Sequence, residues 1–299
     1  MPRAAIDIGS NSLLLTVVSD EGAILHDEAR VVGLGKGLGD RGLFAPDRIA
    51  AASEVLADYV ATARAHGVDP LSIKAVATSA ARRAMNAETV FERFHRAHGL
   101  RVRIIPGEEE ALLTWRGAQR DLEVPAGPQL VVDLGGGSTE LAMGQEDELL
   151  QRASLELGSA RLTERFLEAD DAGRVPAGAV EPLQAYVDAE VARYSFVPSP
   201  ELVIGVAGTV TTLAAIQLGL EAYDSVAVHA STLTRDQLGG FVRTLLPMTA
   251  EERRAYAHIE PGRADFLLAG CVVLDRVLLA AGVEQLTVSD RGLRFGLLA

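Results

Sequence analysis

Apolar positions along the chain fall into short blocks that stop at glycine, acidic or hydroxyl residues. Leu130 to Val132 is an apolar run of the kind a buried strand shows, and it ends at Asp133. Gly135, Gly136 and Gly137 follow, then Ser138 and Thr139, and apolar residues resume at Leu141. The pattern predicts strand, tight turn, strand. The chain opens in the same manner, with strands predicted near 3–8, 13–19 and 24–32. Ile49, Ala52, Val55, Leu56, Tyr59 and Val60 recur at helical spacing, in a helix opened by Pro46 and ended by Gly67. Short buried strands are expected at 73–77 and 102–105. Asn86 is placed to cap a helix running to Gly99. Another helix opens on Glu108, Glu109 and Glu110 and runs to about residue 120.

The second half predicts helices at 158–167 and 176–194, a strand at 202–206 and a helix from there to about 218. Thr234 with Gln237, and Thr249 with Glu252, have the spacing of capping boxes. A long apolar helix follows Pro261 and ends near Gly282, and a last strand covers 285–289. The stretch 121–128, with Pro125, Gly127 and Pro128, reads as a boundary, giving domains at 1–123 and 124–299. Gly33, Gly35, Gly37 and Gly39, with Lys36, lack the strand-to-helix context of a dinucleotide fingerprint. They form a loop that either closes over a ligand or lies on the surface.

Composition narrows the function classes. A chain of 299 residues with 48% hydrophobic content has material for two domains and a large core. Its net charge of −13 argues against a general nucleic-acid binder, which needs a basic face. The single cysteine, Cys271, lies in an apolar segment and fits a reducing compartment. No uncharged run is long enough to span a bilayer, and no leader is evident, so a cytoplasmic protein without membrane contact is expected. The apolar segment from Phe266 to Ala281 has surface to bury, in a homodimer or in the core; a homodimer is expected.

The glycine turn is either an ordinary hairpin turn or a phosphate cradle. Glycines admit positive φ and leave backbone N–H groups uncovered, and successive N–H groups facing one concavity make an anion nest. Ser138 and Thr139 add hydroxyls, while Asp133 and Glu140 flank the nest. Carboxylates beside a phosphate cradle call for a cation, so Mg²⁺ is expected at Asp133 and Glu140, with Mn²⁺ as a substitute. The turn recurs: Asp7, Ile8, Gly9, Ser10, Asn11 and Ser12 align with Asp133, Leu134, Gly135, Gly136, Gly137 and Ser138. That repeat indicates a duplicated domain, with two turns able to face each other across a cleft. A third hydroxyl-rich turn, 207–212, leads into a helix N-terminus.

Such turns with nearby acids suit phosphoryl transfer, in which positioning and charge neutralisation dominate. Water activated by a carboxylate is one nucleophile. Glu109 is the first candidate base, with Glu108 and Glu110 in reserve; on chemistry alone all three read as partners of the helix dipole. Arg82, just past a strand, is placed to grip two phosphate oxygens; Arg83 reads as a solvated charge. Arg263 and Asp265 either line the site or form a surface ion pair. His95 and His98 share a helical face without a metal motif. Trp115 alone makes no stacking platform.

Five stretches in this order resemble one known family: Asp7 to Ser12, Ala77 to Arg82, Gly107 to Ala111, Asp133 to Glu140, and Gly205 to Thr212. The chain is similar over nearly its whole length to exopolyphosphatases and guanosine pentaphosphate phosphohydrolases. The resemblance implies an α/β chain with the duplicated actin-like (ribonuclease H-like) ATPase fold, and an active site between two domains. It implies Glu109 as catalytic glutamate, with Asp133 and Glu140 as acidic partners that help hold Mg²⁺ and the attacking water. Arg82 would grip phosphate, and Asn11, Gly136, Gly137, Ser138 and Thr209 would contact it. The expected function is Mg²⁺-dependent release of terminal phosphate from inorganic polyphosphate, chiefly short chains. Guanosine pentaphosphate is the alternative substrate, and a non-hydrolysing nucleotide sensor the alternative of another class. A sugar kinase would want an aspartate base and a sugar pocket that are not located. Longer family members carry further helical domains where this sequence stops at Ala299, and Phe295 stands where the family usually has an acid.

Overall fold

The computed structural model describes residues 1–38, 42–146, 148–170 and 173–299. By contacts the chain divides into two units, Met1–Gly117 with Leu293–Ala299, and Ala118–Gly292.

The first unit begins with an antiparallel meander, β1 (Arg3–Ile8), β2 (Ser12–Val18) and β3 (Ile24–Val31). Helix α1 (Pro46–Ala65) leads to β4 (Lys74–Ala77), which returns parallel to β1. Helices α2 (Ser79–Arg83) and α3 (Ala87–His98) lead to β5 (Val102–Ile104), and α4 (Gly107–Ala118) follows. The sheet order is β3-β2-β1-β4-β5. Central β1 is apolar nearly throughout because both its faces are covered, whereas edge strand β3 keeps exposed positions. Helix α1 starts at Pro46, where a missing N–H costs nothing, and Gly67 after its end takes φ +83°. It buries Ile49, Ala52, Leu56, Tyr59, Val60 and Ala63, and the Tyr59 hydroxyl donates to the Leu13 carbonyl at 2.9 Å. Asn86 does sit at the N-cap of α3, but its side chain does no capping. It bridges Phe44 instead, accepting from that N–H at 2.9 Å and donating to that carbonyl at 3.2 Å.

The second unit repeats the plan. Its meander is β6 (Gln129–Leu134), β7 (Thr139–Gln145) and β8 (Glu148–Leu155), followed by α5 (Ser159–Phe166) and α6 (Val180–Val191). Strand β9 (Leu202–Val206) runs parallel to β6 and feeds α7 (Gly208–Gln217). Then come α8 (Ser225–Val228), β10 (Thr232–Thr234), α9 (Arg235–Leu245), α10 (Ala250–Tyr256), α11 (Leu267–Ala281) and β11 (Gln285–Val288). The order is β10-β11-β9-β6-β7-β8. Both capping boxes form, at Thr234 and Thr249. Helix α11 belongs to the core: eleven of its fifteen residues are buried, Cys271 among them. The apolar surface from which a homodimer was expected is therefore used inside the unit.

The duplication extends to local detail. Gly9 N–H donates to the Ser12 carbonyl at 3.0 Å, and Gly135 N–H to the Ser138 carbonyl at 3.0 Å. Asp7 pairs with Leu14 across β1–β2, and Asp133 with Glu140 across β6–β7. Both meanders carry a bulge at the matching place, opposite Val17 and Val18 in one and Met143 and Gly144 in the other. Each bulge leaves one leucine out of register, Leu25 and Leu150, 43% and 42% exposed. A bulge twists an outer strand away from edge-to-edge pairing, so both sheets protect one edge in the same manner. This is the duplication that the repeated turn implied, in the actin-like α/β architecture that the family resemblance implied.

The last residues depart from the predicted boundaries. The contact division falls at Gly117/Ala118 rather than 123/124, and the C-terminal helix α12 (Leu293–Leu298) joins the first unit. Leu293, Leu297 and Leu298 pack on Ala5, Val18, Val76 and Ile105. Arg3 and Lys74 donate to the Leu298 and Leu297 carbonyls at 2.6 Å each, placing cations at the negative end of the helix. Arg294, 7% exposed, donates to Asp27 at 2.5 Å and to the Leu15 carbonyl at 3.3 Å. Phe295 is buried, so a packing role occupies the position where the family usually has an acid. A Cβ on Gly296 would overlap the Leu113 carbonyl, so α12 and α4 meet backbone to backbone.

Candidate active site

In the second unit the glycine turn is anchored from one side. Gly135 carbonyl accepts the Ser159 N–H at 2.9 Å, and Gly136 carbonyl accepts the Ala160 and Arg161 N–H groups at 3.1 Å each. These are first-turn donors of α5 that need a partner. In a trans planar peptide the C=O and the next N–H point in opposite directions. The N–H groups of Gly136 and Gly137 therefore face away from α5, as an anion nest requires. Gly135 keeps an ordinary φ; its need for glycine is close approach, a Cβ there lying 3.2 Å from the Ser138 carbonyl. Gly158 is required more strictly, because a Cβ there would overlap the Gly136 and Gly137 backbone. Ser138 is buried. Thr139, expected to offer a second hydroxyl, donates to the Leu157 carbonyl at 2.9 Å and so ties strand to loop.

Asp133 and Glu140 are directly paired residues on one face of the β6–β7 hairpin, where Cβ atoms are about 5 Å apart. Glu140 is 2% exposed and accepts from the Ser154 hydroxyl at 2.7 Å. Two carboxylates set side by side suit Mg²⁺, which is commonly held by one or two carboxylates with substrate phosphates and waters. Among the described residues no group of three or more His, Cys, Asp or Glu side chains is arranged to hold a metal by itself. The donor set fits a cation shared with substrate.

The third turn converges on the first. Ala207, between β9 and α7, has φ 75° and ψ 170°, a region nearly restricted to glycine. Thr209, in the first turn of α7, is 6% exposed, and its hydroxyl lies 3.5 Å from that of Ser159. Ser159 also bonds the Gly135 carbonyl, so Thr209 and the glycine turn share a neighbour. The start of α7 also carries a cation: a Cβ on Gly208 would coincide with the Arg263 guanidinium. Arg263 is mostly buried, with Glu260 at 3.7 Å, and is no surface ion pair. Guanidinium, N-terminal dipole and hydroxyl together attract an anion. Sequence reasoning undervalued Arg263 because 55 residues of chain separate it from Gly208; the Pro261-Gly262-Arg263 opening of a helix was the only signal. Tyr223 borders the same turn, donating to Asp290. Burial first, then the Asp290 charge, pushes its phenol well above the ordinary value.

In the first unit, Asn11 carbonyl accepts from Val32 at 2.8 Å and Gly33 at 2.7 Å, and Ser10 carbonyl from Gly35 at 2.7 Å. Gly33 and Gly35 thus tie the start of the glycine loop to the Asn11 turn; Gly39 lies outside the described residues. The three glutamates of α4 separate. Glu108 is exposed, and Glu110 is buried. Arg82 Nη1 donates to Glu110 Oε2 at 2.6 Å and to the Ile105 carbonyl at 3.0 Å. The arginine expected on phosphate is held in place by the neighbour of the expected base. Glu109 is half-buried and meets Arg103 twice: Nη2 to Oε1 and Nη1 to Oε2, both 2.7 Å. That guanidinium is the main cause holding the Glu109 carboxyl below its usual range.

Two units of like α/β topology, one with paired acids beside a glycine turn and a guanidinium at a helix start, make an arrangement suited to phosphate. The chain belongs to the Ppx/GppA phosphatase family, whose sequence profile matches residues 16–299, and it is thus a hydrolase. It is 36% identical to Exopolyphosphatase 2 of Mycobacterium tuberculosis over 98% of this chain and 96% of that one. The crystal structure of an exopolyphosphatase-like protein superposes with TM-score 0.91 at 32% identity, covering 100% of this chain and 98% of that one. The Aquifex aeolicus Ppx/GppA member gives TM-score 0.83 at 34% identity, covering 100% and 96%.

Proposed function

We propose that the protein hydrolyses the terminal phosphoanhydride of inorganic polyphosphate, releasing orthophosphate. The observation that carries this is the pairing of Asp133 and Glu140 beside outward-facing Gly136 and Gly137 N–H groups, in a chain whose relatives are exopolyphosphatases. Gly136, Gly137, Ser138, Thr209 and Arg263 would bind phosphate oxygens, and Asn11 and Arg82 are further candidates for that role. Glu109 would take a proton from water as that water attacks the terminal phosphorus in line. The P–O bond to the chain breaks, and the shortened polyphosphate leaves on that oxygen. The donors stabilise charge developing on the transferred group. Asp133 and Glu140 would hold Mg²⁺, which neutralises phosphate charge when bound.

The net charge of −13 repels a long polyanion more than a short one, which supports short chains as substrate. Among the described residues no helix is long and apolar enough to cross a membrane. The lone buried cysteine supports the cytoplasm as its compartment. The test is phosphate release from short polyphosphate, long polyphosphate and guanosine pentaphosphate, each with Mg²⁺, with Mn²⁺ and with chelator. Release that is metal-dependent and fastest from short polyphosphate supports the proposal. Faster release from guanosine pentaphosphate moves the substrate to that nucleotide. Nucleotide binding without any release replaces the enzyme by a sensor.

A further inference from the structure

We propose that Arg103 is a latch on Glu109: it occupies the carboxylate until a phosphate chain arrives, then moves to phosphate and frees Glu109 to accept a proton. The inference rests on the reading of Glu109 as base. Its ground is geometric. Both Glu109 oxygens are taken by one guanidinium at 2.7 Å. A bidentate pair of this kind is well oriented and directs the two syn lone pairs, the more basic ones of the carboxylate, at the arginine. A general base must direct one at water. In this arrangement Glu109 is poorly placed for the task, and Arg103 further depresses its basicity. Something must remove Arg103 before the chemistry.

Adjacent glutamates show what can move. Arg82–Glu110 is the fixed pair: side-chain exposures are 24% and 8%, and the arginine is also tied to the Ile105 carbonyl. Arg103–Glu109 is the open pair, 57% and 33% exposed, and Arg103 sits in the three-residue strand β5. Exposed ion pairs are weak and exchange readily. A run of phosphates carries more negative charge than one carboxylate and has the same bidentate fit to guanidinium. Substrate therefore competes well for Arg103. The exchange makes the base available only when substrate is present. Arg103 acts through Glu109 and is a positioning residue.

The latch separates two pH profiles. With Arg103→Ala, the acid limb of kcat/KM reports free enzyme and moves to higher pH, because Glu109 has lost its cation. The acid limb of kcat reports the substrate complex, where Arg103 has already left, and stays in place. If both limbs move together, Arg103 stays on Glu109 through turnover and the latch is wrong. If neither moves, the pair has no bearing on the base and the latch is equally wrong. A binding measurement decides the matter without turnover. In a Glu109→Gln background, Arg103 is already released, so adding Arg103→Ala weakens calorimetric binding of short polyphosphate by about tenfold. Equal affinity of the single and double variants overturns the latch. A wild type that binds polyphosphate but releases no phosphate defeats the proposed activity alone, and the titration still decides the role of Arg103.

Discussion

Asp133 and Glu140 are paired residues of one hairpin, and the matching pair in the first unit is Asp7 and Leu14. Duplication kept the aspartate in both copies and placed a second acid in only one. The proposed cation site, shared with phosphate, would therefore lie in the second unit. Glu140→Gln keeps the shape and the Ser154 hydrogen bond but removes the charge. It is expected to lower kcat by about 10²-fold and to raise the Mg²⁺ concentration needed for half-maximal rate. Rate measured against Mg²⁺ concentration checks this. An unchanged midpoint removes Glu140 from the metal.

Gly158 lies against the Gly136 and Gly137 backbone. Gly158→Ala must push the turn off α5, break the bonds to Ser159, Ala160 and Arg161, and spoil the nest. Destabilisation of about 1–3 kcal/mol is expected, with weakened phosphate binding. Thermal unfolding and phosphate titration read the two effects separately.

Ala207 is the opposite case, a side chain where the backbone favours glycine. Ala207→Gly should relieve strain and stabilise the protein by about 1 kcal/mol, or roughly 2–4 °C in Tm for a unit of this size. A fall in Tm would show that the backbone there is not strained.

Gly296 touches the Leu113 carbonyl, and Leu113 follows Glu109 by one turn of α4. Gly296→Ala should displace α4 from α12, cost about 1–3 kcal/mol and lower kcat more than it raises KM. Unfolding and steady-state kinetics test both halves of that statement.

Much of this was legible from the amino-acid pattern. The first strands, the Pro46 helix, both capping boxes and the repeated turn follow from local rules, so they could be read locally. Three things could not. Strand β8 was missed because an edge strand with a bulge at Leu150 shows no clean apolar run. Helix α12 was missed because six residues are too few for periodicity, and what fixes it is contact with β1 and β4, distant in sequence. The partners of Glu109 and Arg82 were invisible as well. A row of three glutamates shows the helix dipole they face, not that Arg103 takes one and Arg82 the next.

Cys271 supplies a check on the core. It is wholly buried in α11, and burial pushes its thiol well above the ordinary value. Iodoacetamide should leave it unmodified in the native protein at neutral pH and alkylate it in denaturant. Alkylation of the folded protein at the denatured rate would contradict the placement of α11.

The most direct test of the central claim is the rate of phosphate release from short polyphosphate by Glu109→Gln at saturating Mg²⁺. The account predicts a folded variant that still binds polyphosphate and releases phosphate about 10²–10⁴-fold more slowly. A variant that turns over as fast as the wild type contradicts it, and the base must then be sought elsewhere.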